Sequence, residues 1–141
     1  MAGSISLGNK YTAAGMSVGA KSVSQRLTIS NLTNADVLDT NITLPKGACV
    51  VSCAMKVIKG PASSSAATLA LGLTGGTTNG FLTAASVLPA AEGAVYNAGG
   101  AYVGASLAAA SLVSVLAAVT TTATSDTIVD IEIVYFATSM A

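Results

Sequence analysis

Residues 49–57 read CVVSCAMKV, and this stretch decides the fold because its apolar residues alternate with small or polar ones. Successive side chains of a β-strand point to opposite faces, so such an alternation indicates a strand with one buried face. The pattern predicts burial of the odd-numbered side chains, which are Cys49, Val51, Cys53, Met55 and Val57. The other face would carry Ser52, Ala54 and Lys56. The dipeptide Gly60-Pro61 then predicts the end of the strand.

The same period of two recurs along the chain. It is seen in residues 23–29, 38–44, 69–73 and 127–136. In the first of these stretches Gln25 shares the apolar face, which otherwise holds Val23, Leu27 and Ile29. In the last, Asp130 and Glu132 lie opposite the apolar face, which holds Val129, Ile131, Ile133 and Tyr135. Each stretch is therefore predicted to be a strand with one face in the core.

Two regions between these stretches are less regular. Leu44-Pro45-Lys46-Gly47 has Pro at the second and Gly at the fourth position, which is typical of a turn. Residues 105–119 contain Ala and Leu, which favour helix, and also Ser and Val, which favour strand. We interpret residues 105–119 as a strand because Thr-rich sequence follows them.

Several short strands without a convincing helix between them predict an all-β fold, an antiparallel β-sandwich or barrel. We expect a single β-sandwich domain over residues 21–141, since 141 residues suffice for one core. Residues 1–20 hold four Gly, several Ser and few large apolar residues. They are predicted to form an extended N-terminal arm that lies outside the sandwich and docks on a partner chain.

The composition indicates a subunit of an assembly. Hydrophobic residues make up 52% of the chain and charged residues only 9%, against about 25% in an ordinary soluble domain. The net charge is zero, so little repulsion keeps copies apart. A surface of this kind favours an obligate oligomer or a lattice over a freely diffusing catalyst.

The sequence offers little support for a catalytic site or a metal site. The chain has no His, which excludes Ser-His-Asp, Cys-His and zinc-hydrolase arrangements. Asp126, Asp130 and Glu132 are close in sequence, but two of them lie on the outward face of a regular strand, where they solvate the surface. Cys49 and Cys53 would be too far apart in a strand for a disulfide and are expected to be free thiols in the core. We therefore assign no catalytic, cofactor-binding or metal-binding residue.

Nucleic acid and membrane are not expected partners. Six Lys and Arg balanced by six Asp and Glu cannot form a patch that neutralises phosphates, and the pair Lys56 and Lys59 is expected only to solubilise a strand end. Residues 101–120 are apolar, but Ser and Gly interrupt them and no basic or Trp anchor flanks them. No secretory signal is visible in residues 1–10, so we expect the mature chain to begin at or near Met1.

Several motifs occur in an order that resembles the capsid decoration, or head-surface, proteins of podovirus-like tailed bacteriophages. They are Leu44-Pro45-Lys46-Gly47-Ala48, residues 69–72, Gly80-Phe81-Leu82-Thr83-Ala84-Ala85 and Val129-Asp130-Ile131-Glu132-Ile133-Val134-Tyr135. The resemblance covers residues 44–136. Residues 107–119 depart from it through their high Ala content, and residues 1–20 do not align.

The resemblance implies a jelly-roll-like sandwich without catalytic residues, which sits on the capsid exterior, often as a trimer. It further implies that the partner is the major capsid protein and that the subunit clamps neighbouring coat subunits. Two other functions stay open: a tail, spike or other surface-assembly module, and a carbohydrate- or ligand-binding sandwich. A binding module would have an aromatic-lined pocket and stay monomeric, whereas a structural subunit would have an extensive, mostly apolar interface.

Overall fold

A computed structural model describes residues 3–13, 21–62, 66–97 and 99–136. This part of the chain holds nine strands and one short 3-10 turn at Pro89–Ala91. The strands are β1 (Ser4–Ala13), β2 (Lys21–Ser30), β3 (Val37–Leu44), β4 (Cys49–Lys59), β5 (Ala67–Leu73), β6 (Leu82–Ser86), β7 (Val95–Tyr96), β8 (Ser111–Val119) and β9 (Thr127–Phe136). The all-β prediction is confirmed. Of the strand predicted at residues 105–119, residues 111–119 form β8, whereas residues 105–110 are irregular backbone that precedes it.

The strands form two antiparallel sheets. One has the order β1-β2-β9-β4-β7 and the other the order β3-β8-β5-β6. Without β1, the sheets are β2-β9-β4-β7 and β3-β8-β5-β6, in which the chain crosses from one sheet to the other in the manner of two Greek keys. This is the strand order of a jelly roll, so the predicted sandwich is confirmed and β1 is an addition to its edge.

The core lies between the inner faces of the two sheets. From β9 it takes Val129, Ile131, Ile133 and Tyr135, the four residues that the alternation predicted. From β5 it takes Leu69, Leu71 and Leu73. Gln25 is buried with its apolar neighbours, as its place in the alternation predicted. Strands β2, β3, β4, β5, β6, β8 and β9 thus contribute buried apolar side chains to one contiguous cluster, against which β1 and β7 pack only Ile5 and Tyr96.

The face prediction for β4 is correct over its second half and wrong at its start. Cys53, Met55 and Val57 are buried, but Val51 is 46% exposed and Val50 is fully buried. The cause is a register irregularity against β9, where Val50 pairs with Tyr135 and Ser52 with Val134. This β-bulge places one extra residue, Val51, on β4 and reverses the side-chain phase before it. For the same reason Cys49 is only half-buried.

The prediction that residues 1–20 lie outside the sandwich is wrong for Ser4–Ala13. These residues form β1, which pairs antiparallel with β2 from Ser4 opposite Ser30 to Ala13 opposite Ser22. The alternation in β1 gives a weak sequence signal because Ile5 and Leu7 are its only large apolar residues before a break in register between Leu7 and Lys10. Residues 14–20 lie outside the described residues.

The loops at one end of the sandwich are tied together by Tyr102, which belongs to the connection between β7 and β8. Its ring contacts Phe81 with 5.3 Å between the centroids. Its hydroxyl accepts a hydrogen bond of 2.9 Å from the backbone N–H of Thr77, and hydrogen bonding with the side chain and the backbone of Thr77 lowers the pKa of the phenol. The ring also covers Gly80, where any Cβ would overlap it. Tyr102 thereby fixes the β5–β6 loop against the β7–β8 connection.

Candidate interaction surfaces

The outer face of β2, β9 and β4 carries a row of charged side chains. Arg26, Asp130 and Lys56 lie directly opposite one another on the three strands. The Arg26 guanidinium donates two hydrogen bonds to the Asp130 carboxylate, at 2.7 Å from Nε to Oδ1 and 2.9 Å from Nη2 to Oδ2. These bonds and the Lys56 charge lower the pKa of Asp130. Glu132 lies on the same outer face of β9 as Asp130. The outward orientation predicted for both carboxylates is therefore confirmed.

Arg26→Gln is expected to lower the melting temperature by at most about 2–4 °C, because the ion pair is exposed to solvent. In the folded chain the pKa of Asp130 lies below its ordinary value of 3.8, so the ion pair between Arg26 and Asp130 stabilises the fold above that pH. Its contribution is lost as the pH falls through the lowered pKa. Thermal unfolding of both proteins at pH 7 and in the acid range checks this; a difference that grows on acidification would contradict it.

The outer face of β3, β8, β5 and β6 is different, and we call it the uncharged face. Its outward positions hold Val37, Asp39, Asn41, Thr43, Thr68, Ala70, Gly72, Ser86, Leu112, Ser114, Leu116 and Ala118. Among these positions Asp39 is the one ionisable side chain. Val37 is 45% exposed and lies opposite the half-buried Leu116, so aliphatic side chains reach the surface together.

The β5–β6 loop covers one end of the uncharged face. Thr74 donates a hydrogen bond of 2.6 Å to Asp39, and its backbone N–H donates to Leu112 O. Beneath this loop Gly72 has no room for a side chain, and the hydroxyl of Ser114 is buried without a hydrogen-bond partner. The accessible part of the face is therefore the half around Val37, away from the loop.

The two cysteines have different environments, and both are free thiols as predicted. Cys53 is buried, and burial raises the pKa of its thiol to about 12, which suppresses the reactive thiolate. Cys49 lies opposite Phe136 at an end of the outer face of the five-stranded sheet. Near it, Val51 and Phe136 are each 46% exposed, which makes a small apolar patch that the alternation did not predict.

A metal site and a membrane span are two further kinds of site to consider. Within the described ranges, no group of three or more Cys, Asp or Glu side chains is placed to hold a metal ion. The same ranges contain no helix long and apolar enough to cross a membrane. The residues 101–120 that raised this question form irregular turns followed by β8.

Comparison with known structures finds chains of similar fold. No family model matches the sequence, and no curated protein matches it. A chain in the capsid asymmetric unit of cyanophage Pam1 superposes with a TM-score of 0.68 and 18% identity, over 88% of this chain and 89% of that one. A chain in the capsid of Ralstonia phage GP4 gives 0.61 and 18% identity, over 92% of both.

A third similar chain comes from the acidic stable capsid structure of Helicobacter pylori bacteriophage KHP30. It superposes with a TM-score of 0.56 and 17% identity, over 93% of this chain and 95% of that one. Identities this low concern the fold alone. Since nearly all of both chains superposes in each case, the matched chains are about as long as this one.

Proposed function

We propose that this protein is a virion structural protein of a tailed bacteriophage, and more specifically a decoration protein on the capsid exterior. The observation that carries the proposal is the whole-chain similarity in fold to subunits of three phage capsids. A jelly roll serves many functions, so fold by itself does not decide the role. The low charge and the uncharged face supply the second argument, because both are properties of this chain's own surface.

The uncharged face is the surface that we assign to the major capsid protein. Burying an unpaired charge in an interface costs free energy, so a docking surface without free charges can meet an uncharged coat surface at little desolvation cost. The face has aliphatic side chains at Val37 and Leu116, and its single carboxylate, Asp39, lies toward the end that the β5–β6 loop covers, where Thr74 donates a hydrogen bond to it. The charged outer face of β2, β9 and β4 would then face solvent.

A decoration protein bound in this way stabilises the particle by linkage. Contacts that exist only while coat subunits are in place add their free energy to the assembled state. Separation of two coat subunits joined by one decoration protein also requires those contacts to break. Such a role needs no catalytic or cofactor site, and we expect a homotrimer because decoration proteins resembling this chain often form trimers.

A tail or spike module is the second candidate, since it would use the same fold and a similarly uncharged contact. A carbohydrate-binding sandwich would need exposed aromatic rings grouped together. The contact of Tyr102 with Phe81 fixes a loop, and Phe81 itself is fully buried. We therefore favour the assembly role over the binding module.

The test is reattachment of purified protein to particles produced from the encoding phage genome after deletion of this gene. Val37→Lys introduces a charge into the uncharged face and is expected to weaken co-sedimentation with the particles at least about tenfold, or about 1.4 kcal/mol. The matched control is Val95→Lys, because Val95 is 59% exposed and lies beside Lys56 on the opposite side of the sandwich. Equal binding of both variants would contradict the assignment of the face.

A further inference from the structure

We propose that β1 is exchanged between copies of this chain, so that β1 of one subunit completes the five-stranded sheet of its neighbour. The exchange concerns the self-assembly of the protein and goes beyond attachment to a capsid. The occupant of the β2 edge would be Ser4–Ala13 of a second copy, paired in the same antiparallel register with β2. Exchange of an identical element costs little because the contacts between the element and the rest of the sheet are reproduced between two copies.

β1 is weakly anchored by its own side chains. In its first half Ser4, Ser6 and Leu7 are exposed, and Ile5 is only partly buried against the core. What attaches the strand is backbone pairing, which the same strand from another copy would supply equally well. The register break between Leu7 and Lys10 further divides the pairing into two short runs.

The edge of β2, by contrast, requires a partner strand. Leu27 and Ile29 are fully buried, and their strand lies between β9 and β1. The buried Gln25 side chain donates to Gly8 O of β1 at 3.4 Å and accepts at 3.2 Å from the backbone N–H of Asn41 on β3. Loss of β1 would leave the side-chain amide N–H of Gln25 and the backbone groups at the edge of β2 unpaired. Some copy of β1 must therefore occupy the edge.

The chain between the two strands is long enough to permit the exchange. β1 ends at Ala13 and β2 begins at Lys21, so seven residues, AGMSVGA, connect them. A tight β-hairpin needs two to five. Seven residues span up to about 25 Å when extended, which can reach a neighbouring subunit.

Leu7 offers an apolar contact to a second copy at this edge. It lies opposite Leu27 and so shares the inward side of the sheet, yet it is 41% exposed. Inward aliphatic side chains at a sheet edge are covered in an assembly if another copy packs against that edge. The first half of β1 also carries no charged residue that would oppose such an approach.

A disulfide across the register tests the exchange in the purified full-length protein. Ser6 and Thr28 are direct partners on β1 and β2, so Ser6→Cys with Thr28→Cys places two thiols within reach of a disulfide. Cys49→Ser removes the half-buried native thiol, and the buried Cys53 can stay. We expect oxidation under native conditions, followed by denaturation without reductant, to give covalent dimers and trimers.

The matched control is Ser24→Cys with Glu132→Cys, which joins β2 to β9 in the same sheet and should give only cross-linked monomers. Cross-linked monomers from the Ser6 and Thr28 pair would overturn the exchange, even if the protein is oligomeric. A lack of any disulfide would overturn the register on which the inference rests. Covalent oligomers that fail to bind particles would contradict the proposed function and leave the exchange supported.

Discussion

Val50→Asp is expected to destabilise the protein by about 4 kcal/mol or more, which is a large part of the 5–15 kcal/mol by which domains of this size are stable. Val50 is fully buried opposite Tyr135, and both side chains belong to the core. The Asp carboxylate would have neither water nor a counter-ion there, so it must protonate or the strand end must open. Urea unfolding measures the loss; if Val50→Asp does not fold, Val50→Thr is expected to cost about 1–3 kcal/mol.

The neighbouring residue provides the control. Val51 is the extra residue of the β-bulge and is 46% exposed, so Val51→Asp should change the free energy of unfolding by no more than about 0.5 kcal/mol. The simple alternation of residues 49–57 predicts the opposite order, with Val51 in the core. A larger loss for Val51→Asp than for Val50→Asp would restore that alternation and contradict the bulge.

Gly72→Ala is expected to cost about 1–3 kcal/mol, because the methyl group would overlap the backbone of the β5–β6 loop. A Cβ at Gly72 would overlap the carbonyl oxygen of Thr77 and the backbone carbonyl carbon of Thr78. The loop could move only by giving up hydrogen bonds such as the one from the Leu73 N–H to Thr77 O. Faster hydrogen exchange confined to residues 74–80 should accompany the loss of stability.

Ala118 supplies the comparison for Gly72, since it lies on the same outer face but is exposed. Ala118→Val adds more volume than Gly72→Ala at a site open to solvent, and the change in stability should stay within about 0.5 kcal/mol. If Gly72→Ala is as stable as wild type, the loop is not seated on β5 as the structure places it.

The sequence was sufficient for the fold class because alternation of apolar residues depends on chemistry that acts locally. In β9 every predicted inward residue is buried, since a regular strand between two neighbours keeps the period of two. The bulge at Val51 was not predictable in this way. An irregularity of pairing depends on the partner strand β9, and the local sequence VVS of residues 50–52 is compatible with either phase.

Neither β1 nor the uncharged face follows from the alternation of apolar residues, for a related reason. Edge strands bury few side chains, so Ser4–Ala13 has little apolar signal and is defined by hydrogen bonds to a distant segment. The low charge of the chain predicted an assembly, but the location of the uncharged face follows from the order β3-β8-β5-β6, which periodicity does not give. The predicted attachment of residues 1–20 to a partner stays a prediction, now in the form of an exchanged β1.

The most direct test of the central proposal is to count this protein in purified particles of the phage that encodes it, by quantitative mass spectrometry against the coat protein. The proposal predicts many copies per particle, in a fixed ratio to the coat protein, and immunogold labelling of intact particles over the whole capsid surface. Absence from the particles would contradict a virion structural role. Labelling confined to the tail would contradict capsid decoration and favour the tail or spike module.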